Sequence, residues 1–346
     1  MVKFLFHKFR VVTLSLKKLS YPFALPLLIL EIVRHRITGR SSNANLIKTF
    51  LLYGGLPATL LSRLIGGRPK SFAHVSSSSV IRDNATINNK LLRKFGHTLV
   101  PQAISHNQVT ELLELSLRTP GENRVMDSGQ GQENGVFFDR LKPKTVRFDV
   151  DSQKLLQNNL IQEFICDPTI LSIAQDYLGS APVFDFIAMW WHTKSNTPDK
   201  EAAQYFHFDM DRLRWIKFFF YVTDVTAESG PHMFVPESHR DFGLPFKLRK
   251  KGFTRLTDDE VASVFPVNTW TTFTGSAGSM IVEDTRGLHK GKHVHEGDRL
   301  VFQIQFSTSI FGYRPTPYTI KSENLSSALK SSLERHPSVY PEISII

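Results

Sequence analysis

The 346-residue sequence predicts a mainly β domain, an antiparallel sandwich or barrel, with packed helices and a helical N-terminal extension. Three observations support this fold class. Short segments rich in Phe, Val, Ile and Thr follow Pro182, separated by glycine, proline or aspartate. Helical patterns occupy residues 105–179. The excess positive charge is confined to the first 82 residues, which indicates a separate segment.

Composition limits the classes of protein to which this chain can belong. With 41% hydrophobic and 21% charged residues, it is a folding globular sequence. Cys166 is the only cysteine, which excludes a disulfide framework and a cysteine-based zinc site. We expect Cys166 to be a buried packing residue and not a nucleophile. A reducing, cytoplasmic location fits this cysteine usage.

The net charge of +10 is unevenly distributed. Residues 1–82 contain thirteen Lys or Arg and one acid, Glu31, so that segment carries +12 and the remaining residues sum to −2. Nucleic-acid binding by the main domain is therefore not expected, since it needs a basic stripe on the folded face.

The N-terminal segment alternates bulky apolar residues with cations. Its longest uncharged apolar run, residues 19–30, contains two prolines and is shorter than the roughly 20 residues that span a bilayer. A second apolar stretch is interrupted by Gly54, Gly55 and Pro57. The pattern predicts amphipathic helices, with three alternative roles: peripheral contact with an anionic membrane, an extension packed on the domain, or a targeting presequence.

Residues 68–84 are rich in serine, which predicts a linker. The predicted organisation is a basic, apolar and helical N-terminal extension and linker over residues 1–85, a mainly β domain over 86–320 and a C-terminal tail over 321–346.

Helix signals follow the linker. A helix is predicted to begin near Ser105 and to stop at Pro120 and Gly121. Two more helices follow, the second starting at Asp167-Pro168 and ending at Gly179. Six strands are then predicted: VFDFIAMWWHTK, IKFFFYVTDV, MFVPESHR, WTTFTG, SMIVEDTRG and RLVFQIQFSTS. Trp190 and Trp191 are expected in the core or in a pocket wall.

The stretch YFHFDMDRLRW, residues 205–215, carries the chemical signal. In a strand, His207, Asp209 and Asp211 point to one face. Two histidines and one carboxylate on one face of an octahedral metal leave three positions open, as in non-haem iron oxygenases. Asp211 is expected to be a turn residue or a partner for Arg212 or Arg214 and not a ligand.

A second histidine is needed to complete such a site. Five histidines lie downstream: His232, His239, His289, His293 and His295. His289 has the best context, because a strand precedes it and a polar turn leads to another strand that starts at Arg299. A hairpin would place Arg299 beside His289, where its guanidinium could bind a carboxylate of a 2-oxo acid. His239 is expected to bond to backbone, and His293 and His295 to lie in a solvent-facing loop.

Four segments in this order resemble the phytanoyl-CoA dioxygenase-like Fe(II)/2-oxoglutarate oxygenases: HFD at 207–209, FFFYVTDVTAESGPHMFVPESHR at 218–240, GSMIVEDTRGLHKG at 278–291 and RLVFQIQFS at 299–307. The resemblance covers about residues 86–315. Two features depart from the family pattern: Glu237 stands where glycine is usual, and KGKHVHEGD follows the distal histidine.

The resemblance implies a double-stranded β-helix, a cupin-like jelly roll. It also implies His207, Asp209 and His289 as iron ligands and Arg299 as the anchor for 2-oxoglutarate. The implied reaction is hydroxylation, with release of succinate and CO₂, because related halogenases have a small residue at the position of Asp209.

The substrate is expected to be a small or lipid-like molecule. Gln204 and Lys217 are candidates for polar contacts to 2-oxoglutarate or substrate. The cations Arg212, Arg214 and Lys217 indicate either an anionic substrate or a solvated face. Two alternative functions are an inactive binding protein on the same barrel and a cupin-type metal enzyme that does not use 2-oxoglutarate.

Overall fold

The computed structural model describes residues 23–39, 41–72, 79–82, 87, 89–124, 133–195, 203–252, 254–312 and 317–346. Its helices are α1 Ala24–Thr38, α2 Ala44–Tyr53, α3 Leu56–Ile65, α4 Asn89–Phe95, α5 His106–Arg118, α6 Ser152–Leu155, α7 Asn159–Cys166, α8 Pro168–Leu178, α9 Phe246–Arg249, α10 Asp258–Ala262 and α11 Ser327–Arg335. Short 3₁₀ helices occupy Val267–Thr269, Ser322–Asn324 and Pro337–Val339. The strands are β1 His97–Val100, β2 Gly121–Asn123, β3 Asn134–Val136, β4 Arg147–Val150, β5 Val183–Thr193, β6 Trp215–Tyr221, β7 His232–Phe234, β8 Thr271–Phe273, β9 Met280–Glu283, β10 His289–Gly291, β11 Asp298–Ser307, β12 Tyr318–Ile320 and β13 Ile343–Ile345.

Two antiparallel sheets form the core. The large sheet has the order β1-β9-β6-β11-β5-β4-β2-β3, and the small one has the order β10-β7-β8. A bridge between His207 and His289 extends the small sheet by one more segment. Trp190, Phe219 and Val301 of the large sheet share an apolar cluster with Phe234 and Phe273 of the small sheet, so the two sheets face each other. This arrangement confirms the predicted double-stranded β-helix.

Helices cover the outer face of the large sheet. Leu112 of α5 and Phe164 of α7 pack in one core cluster with Phe218, Phe220 and Phe302 of the strands. Burial of these rings removes a large apolar area from water, which holds the helical layer on the sheet.

The predicted helix boundaries are confirmed at three caps. Ser105 and Gln108 form a capping box at the start of α5. The Asp167 carboxylate accepts from the Ile170 N–H, and Pro168 takes the first position of α8. Gly179 ends α8 with φ 71°, a left-handed conformation that glycine adopts without strain.

The N-terminal helices pack behind residues 206–210, which carry the HFD motif and form isolated bridges at Phe206 and His207 where the sequence predicted a strand. Leu28 of α1 and Phe50 of α2 lie in one cluster with Phe206, Phe208 and Met210. The rings of Phe50 and Phe208 are 5.2 Å apart. The apolar side chains therefore face the helices, while His207 and Asp209 point to the metal-ligand cluster with His289. In the described ranges, none of the helices is long and apolar enough to cross a bilayer.

Part of the predicted linker is ordered against the domain. Val80 and Ile81 are buried in the main core, and the Val80 N–H donates to Asp167 at 2.8 Å. Residues 73–78 and 83–84 of that prediction lie outside the described residues, as do residues 1–22 of the extension.

The predicted hairpin between His289 and Arg299 is wrong. Strand β10 pairs with β7 in the small sheet, whereas β11 pairs with β5 and β6 in the large sheet. The chain crosses from one sheet to the other between them. The guanidinium of Arg299 nevertheless reaches β10, since a Cβ built on Gly291 would lie 2.7 Å from its Nη2 atom.

Candidate active site

His207, Asp209 and His289 converge on one space between the sheets. Backbone hydrogen bonds in both directions join His207 to His289, at 3.0 and 2.9 Å, and bring their rings to a centroid distance of 4.2 Å. The Nε2 atom of His207 is 3.9 Å from Oδ1 of Asp209, and that of His289 is 3.6 Å from Oδ2. One ligand atom from each residue lies within 4.8 Å of the other two.

The two imidazoles are oriented by backbone carbonyls. Nδ1 of His207 lies 3.0 Å from the Tyr205 carbonyl oxygen, and Nδ1 of His289 lies 3.0 Å from that of Gly287. A carbonyl can only accept, so each Nδ1 carries the proton and each Nε2 keeps its lone pair. Burial lowers the pKa of both rings, so both are neutral near pH 7, the form that binds a metal.

Lys217 is the counter-charge of the triad carboxylate. Its Nζ donates to Oδ2 of Asp209 at 2.6 Å and lies 3.5 Å from Oδ2 of Asp211. Burial by itself would raise the pKa of Asp209, but the charge of Lys217 holds that pKa well below its usual range. The structure therefore places Lys217 on a triad residue, whereas the sequence suggested a contact to 2-oxoglutarate or substrate.

Arg299 lies buried with unused donors. It is opposite His192 in the β11–β5 register, and its Nη2 donates to Nδ1 of His192 at 2.7 Å. Among the described residues, its Nε and Nη1 atoms have no hydrogen-bond partner. Burial lowers the pKa of Arg299 to about 10, so it remains cationic at neutral pH. The unpartnered Nη1 can donate to a carboxylate in a charge-assisted hydrogen bond.

The remaining polar residues near the motif take other positions. Gln204 is buried. It lies beside β10, where the carbonyl of its neighbour Ala203 accepts a hydrogen bond from the Gly291 N–H at 3.1 Å. The side chain of Asp211 is 39% exposed. Arg212 is buried and paired with Asp185.

The interpretation of the basic cluster as a solvated face is wrong. Arg212 and Lys217 are buried and bound to carboxylates, and the Arg214 guanidinium stacks 5.0 Å from the centre of the Tyr177 ring. None of these three cations stands free to form an exposed anionic-substrate site. The sequence DRLRWIK does not reveal the burial of these cations, because their partners are distant in sequence and are brought close only by the folding of the chain.

The other candidate histidines lie outside the triad. His232 bonds through Nε2 to Glu283 at 2.8 Å, and its ring is 5.7 Å from that of His289. Nε2 of His239 lies 3.2 Å from the Arg93 carbonyl, in agreement with the predicted bond to backbone. The rings of His293 and His295 lie 3.8 Å apart, tilted by 53°; the first residue is half-buried and the second is exposed.

A buried polar pair that the sequence did not indicate adjoins the triad. Burial raises the pKa of Glu283 to about 8 and lowers that of His232 to about 3. Both groups are therefore neutral near pH 7 and share one hydrogen bond. The sequence also did not indicate His192, the partner of Arg299. The pairing of β5 with β11 brings these two residues together, and no local sequence signal reveals that pairing.

The donor set fits iron(II) and 2-oxoglutarate. Two neutral imidazole nitrogens and one carboxylate on one face match the ligand pattern of non-haem iron oxygenases. The buried cation of Arg299, with Nη1 unpartnered among the described residues, fits the carboxylate of a 2-oxo acid.

Sequence comparison identifies the family. A model of the phytanoyl-CoA dioxygenase (PhyH) family matches residues 92–299, more than half of the chain, and the match includes all three triad residues and Arg299. The chain belongs to the phytanoyl-CoA dioxygenase family. It is an iron(II)/2-oxoglutarate-dependent oxygenase with a candidate His-Asp-His triad, and the family implies a small-molecule substrate. Helices α1–α3 precede the matched residues.

The fold resembles several solved structures at low sequence identity. The non-haem α-ketoglutarate-dependent epimerase SnoN from nogalamycin biosynthesis is 20% identical, with 66% of this chain and 84% of SnoN covered and a TM-score of 0.46. HygX from Streptomyces hygroscopicus, with nickel and 2-oxoglutarate bound, is 15% identical, with 71% and 94% covered and a TM-score of 0.46. EctD from S. alaskensis with bound iron is 14% identical, with 70% and 83% covered and a TM-score of 0.45. No curated protein matches the chain.

Proposed function

We propose that this oxygenase hydroxylates an unactivated C–H bond of a small, lipid-like molecule, with 2-oxoglutarate converted to succinate and CO₂. The observation that carries the proposal is the carboxylate of Asp209, held between the two imidazoles and anionic in the folded protein. In a halogenase, halide takes the place of this carboxylate among the metal ligands, so the carboxylate of Asp209 favours hydroxylation.

Each polar residue of the site has a role in this proposal. His207, His289 and Asp209 hold iron(II), and Asp209 offsets part of its charge. Lys217 fixes Oδ2 of Asp209, which restricts rotation of the carboxylate. Arg299, oriented by His192, binds the carboxylate of 2-oxoglutarate that is remote from the metal. With oxygen, the bound iron and 2-oxoglutarate supply the oxidant for the C–H bond.

The apolar packing between the two sheets supports an apolar substrate. Trp190, Phe219 and Val301 of the large sheet share a buried cluster with Phe234 and Phe273 of the small sheet, and Phe219 and Phe273 contact His232 next to the triad. Apolar surroundings of this kind favour an aliphatic group over a charged one.

The test is anaerobic addition of iron(II) and 2-oxoglutarate to the purified apoprotein, followed by visible spectroscopy. We expect a charge-transfer band in the wild type that is lost in Asp209→Ala and weakened in Arg299→Ala. His295→Ala is the control, because this exposed histidine lies outside the triad. Absence of a band in the wild type, with no 2-oxoglutarate binding by calorimetry, would refute the proposal.

Turnover separates the remaining alternatives. An active hydroxylase consumes 2-oxoglutarate and forms succinate under air, at least slowly, when no substrate is present. A binding protein on the same barrel gives the spectral band without succinate. A metal enzyme that does not use 2-oxoglutarate binds iron but gives no band, and the presence of Arg299 argues against it.

A further inference from the structure

Helix α3 has three of its four leucines on the outside, whereas Leu61 and its neighbour on the same side, Ile65, are half-buried against the apolar cluster behind the HFD segment. Its buried positions are Ala58, Thr59 and Ser62, which are small or polar. Leu56, Leu60 and Leu64, spaced four residues apart and therefore on one face, are 37%, 49% and 72% exposed. A helix that packs only on its own domain shows the reverse pattern, with leucines inward and polar residues outward.

Polar contacts fix α3 in this orientation. The Thr59 hydroxyl donates to Oδ1 of Asp241 at 2.6 Å, and Nη1 of Arg286 donates to the Thr59 hydroxyl at 3.3 Å. At the start of the helix, the Gly55 N–H donates to the Asp241 carbonyl at 2.7 Å. Rotating α3 to bury its leucines would break these bonds and leave a buried guanidinium without the hydroxyl partner.

Helix α1 also presents an apolar face to solvent. Leu28 and Ile32 are buried against the body of the domain. On the opposite side, Leu30, Val33 and Ile37 are 63%, 50% and 78% exposed. The two helices meet at their ends, where Nη2 of Arg36 donates to the Leu64 carbonyl at 3.0 Å. The α1/α3 surface is formed by these six exposed residues: Leu30, Val33, Ile37, Leu56, Leu60 and Leu64.

Cations surround the α1/α3 surface. Arg34, Arg36, Arg63 and Arg68 are exposed on α1, on α3 and just beyond α3. The only acid of residues 1–82, Glu31, is half-buried.

We propose that the α1/α3 surface docks on an anionic lipid bilayer, with its leucines among the acyl chains and its arginines at the headgroups. Apolar side chains with a cationic rim are the combination that binds an anionic membrane interface. A second copy of this chain fits less well, because it would bring two cationic rims together without acids to pair them.

Docking would place the oxygenase site close to lipid. Leu28 of α1 and Phe50 of α2 pack directly behind the segment that carries His207 and Asp209, and the ring of Phe50 contacts that of Phe208. For the same reason, deleting the N-terminal helices is unsuitable as a test, because it would expose the apolar residues of that segment. Point substitutions on the exposed face avoid this problem.

The test is sedimentation of the full-length, iron-loaded protein with vesicles. One set is phosphatidylcholine alone, and in the other set phosphatidylserine replaces about a third of the lipid. We expect binding to the anionic vesicles only, weakened by raising NaCl to about 0.5 M. The variant Leu60→Gln/Leu64→Gln should bind at least about tenfold more weakly, because two apolar side chains are lost from the interface. Arg63→Gln should cost about fivefold.

Leu141→Gln is the matched control, since Leu141 is 93% exposed on a loop outside α1 and α3 and should bind vesicles like the wild type. An unchanged iron–2-oxoglutarate band in every variant shows that the domain is folded, and it reports on the oxygenase proposal separately. Three results would overturn membrane docking: no vesicle binding, vesicle binding that the leucine substitutions leave unchanged, or a dimer that the same substitutions convert to a monomer.

Discussion

Lys217→Met tests whether the buried ammonium is the counter-charge of the triad carboxylate. Methionine keeps the length of the side chain and removes its charge. Nζ of Lys217 lies 2.6 Å from Oδ2 of Asp209, and the side chains of the two residues are only 9% and 15% exposed. Without the ammonium, the buried carboxylate of Asp209 lacks its main positively charged partner.

The structure gives the size of the effect. At 2.6 Å and an effective dielectric constant of about 20, the attraction between the two charges is about 6 kcal/mol before desolvation is subtracted. Removing one partner of a buried ion pair costs about 3–5 kcal/mol in measured cases. We therefore expect Lys217→Met to lower the free energy of unfolding of the apoprotein by about 3–5 kcal/mol. Iron(II) should restore part of this loss, because the metal supplies the missing positive charge.

The assay is urea unfolding of the apoprotein and of the iron-loaded protein under anaerobic conditions. Lys290→Met is the matched control: Lys290 is also buried, but its partner Asp258 is 56% exposed, so the loss should be about 1 kcal/mol or less. Adding Asp209→Asn to Lys217→Met should raise stability above that of Lys217→Met alone. A double variant that is less stable than Lys217→Met would refute the reasoning.

Three further predictions concern the surroundings of the site. Phe50→Ala removes the ring that packs on Phe208; we expect a loss of about 3–5 kcal/mol in urea unfolding, with weaker iron binding in calorimetry. In the apoprotein, the buried Glu283 has its pKa raised from 4.5 to about 8, so the folded state keeps a proton that the unfolded state loses. The contribution of Glu283 to the free energy of unfolding therefore falls by about 1.4 kcal/mol per pH unit as the pH rises between those two pKa values. In urea unfolding at several pH values, Glu283→Gln should not show this fall. Gly291→Ala places a Cβ against the Arg299 guanidinium, so the Kd for 2-oxoglutarate should rise in calorimetry while that for iron stays constant; an unchanged Kd for 2-oxoglutarate would contradict it.

Local sequence patterns predicted the elements that local physics fixes. Ser105, Asp167 and Gly179 mark helix ends because their effects act within one helical turn. The alternation of His207 and Asp209 with phenylalanines gave their common face, because the period of a strand is two. The choice of His289 among five histidines relied on its sequence context and on the resemblance to a family.

Tertiary structure decided what depends on pairing between distant segments. Lys217 reaches Asp209, and Arg299 meets His192, because of strand register, which is not encoded near either residue. The expected hairpin failed for the same reason: two strands that follow each other in sequence belong to opposite sheets.

The N-terminal helices show the division between sequence and tertiary structure. The sequence by itself determined that residues 24–65 are apolar, basic and helical in pattern, which left three roles open. Only the folded chain shows that Thr59 of α3 turns inward to Asp241 and that Leu56, Leu60 and Leu64 turn outward. The orientation of an amphipathic helix depends on the partner available to each face. For α3 that partner is an ionic network formed by Asp241 and Arg286, which lie 182 and 227 positions further along the chain.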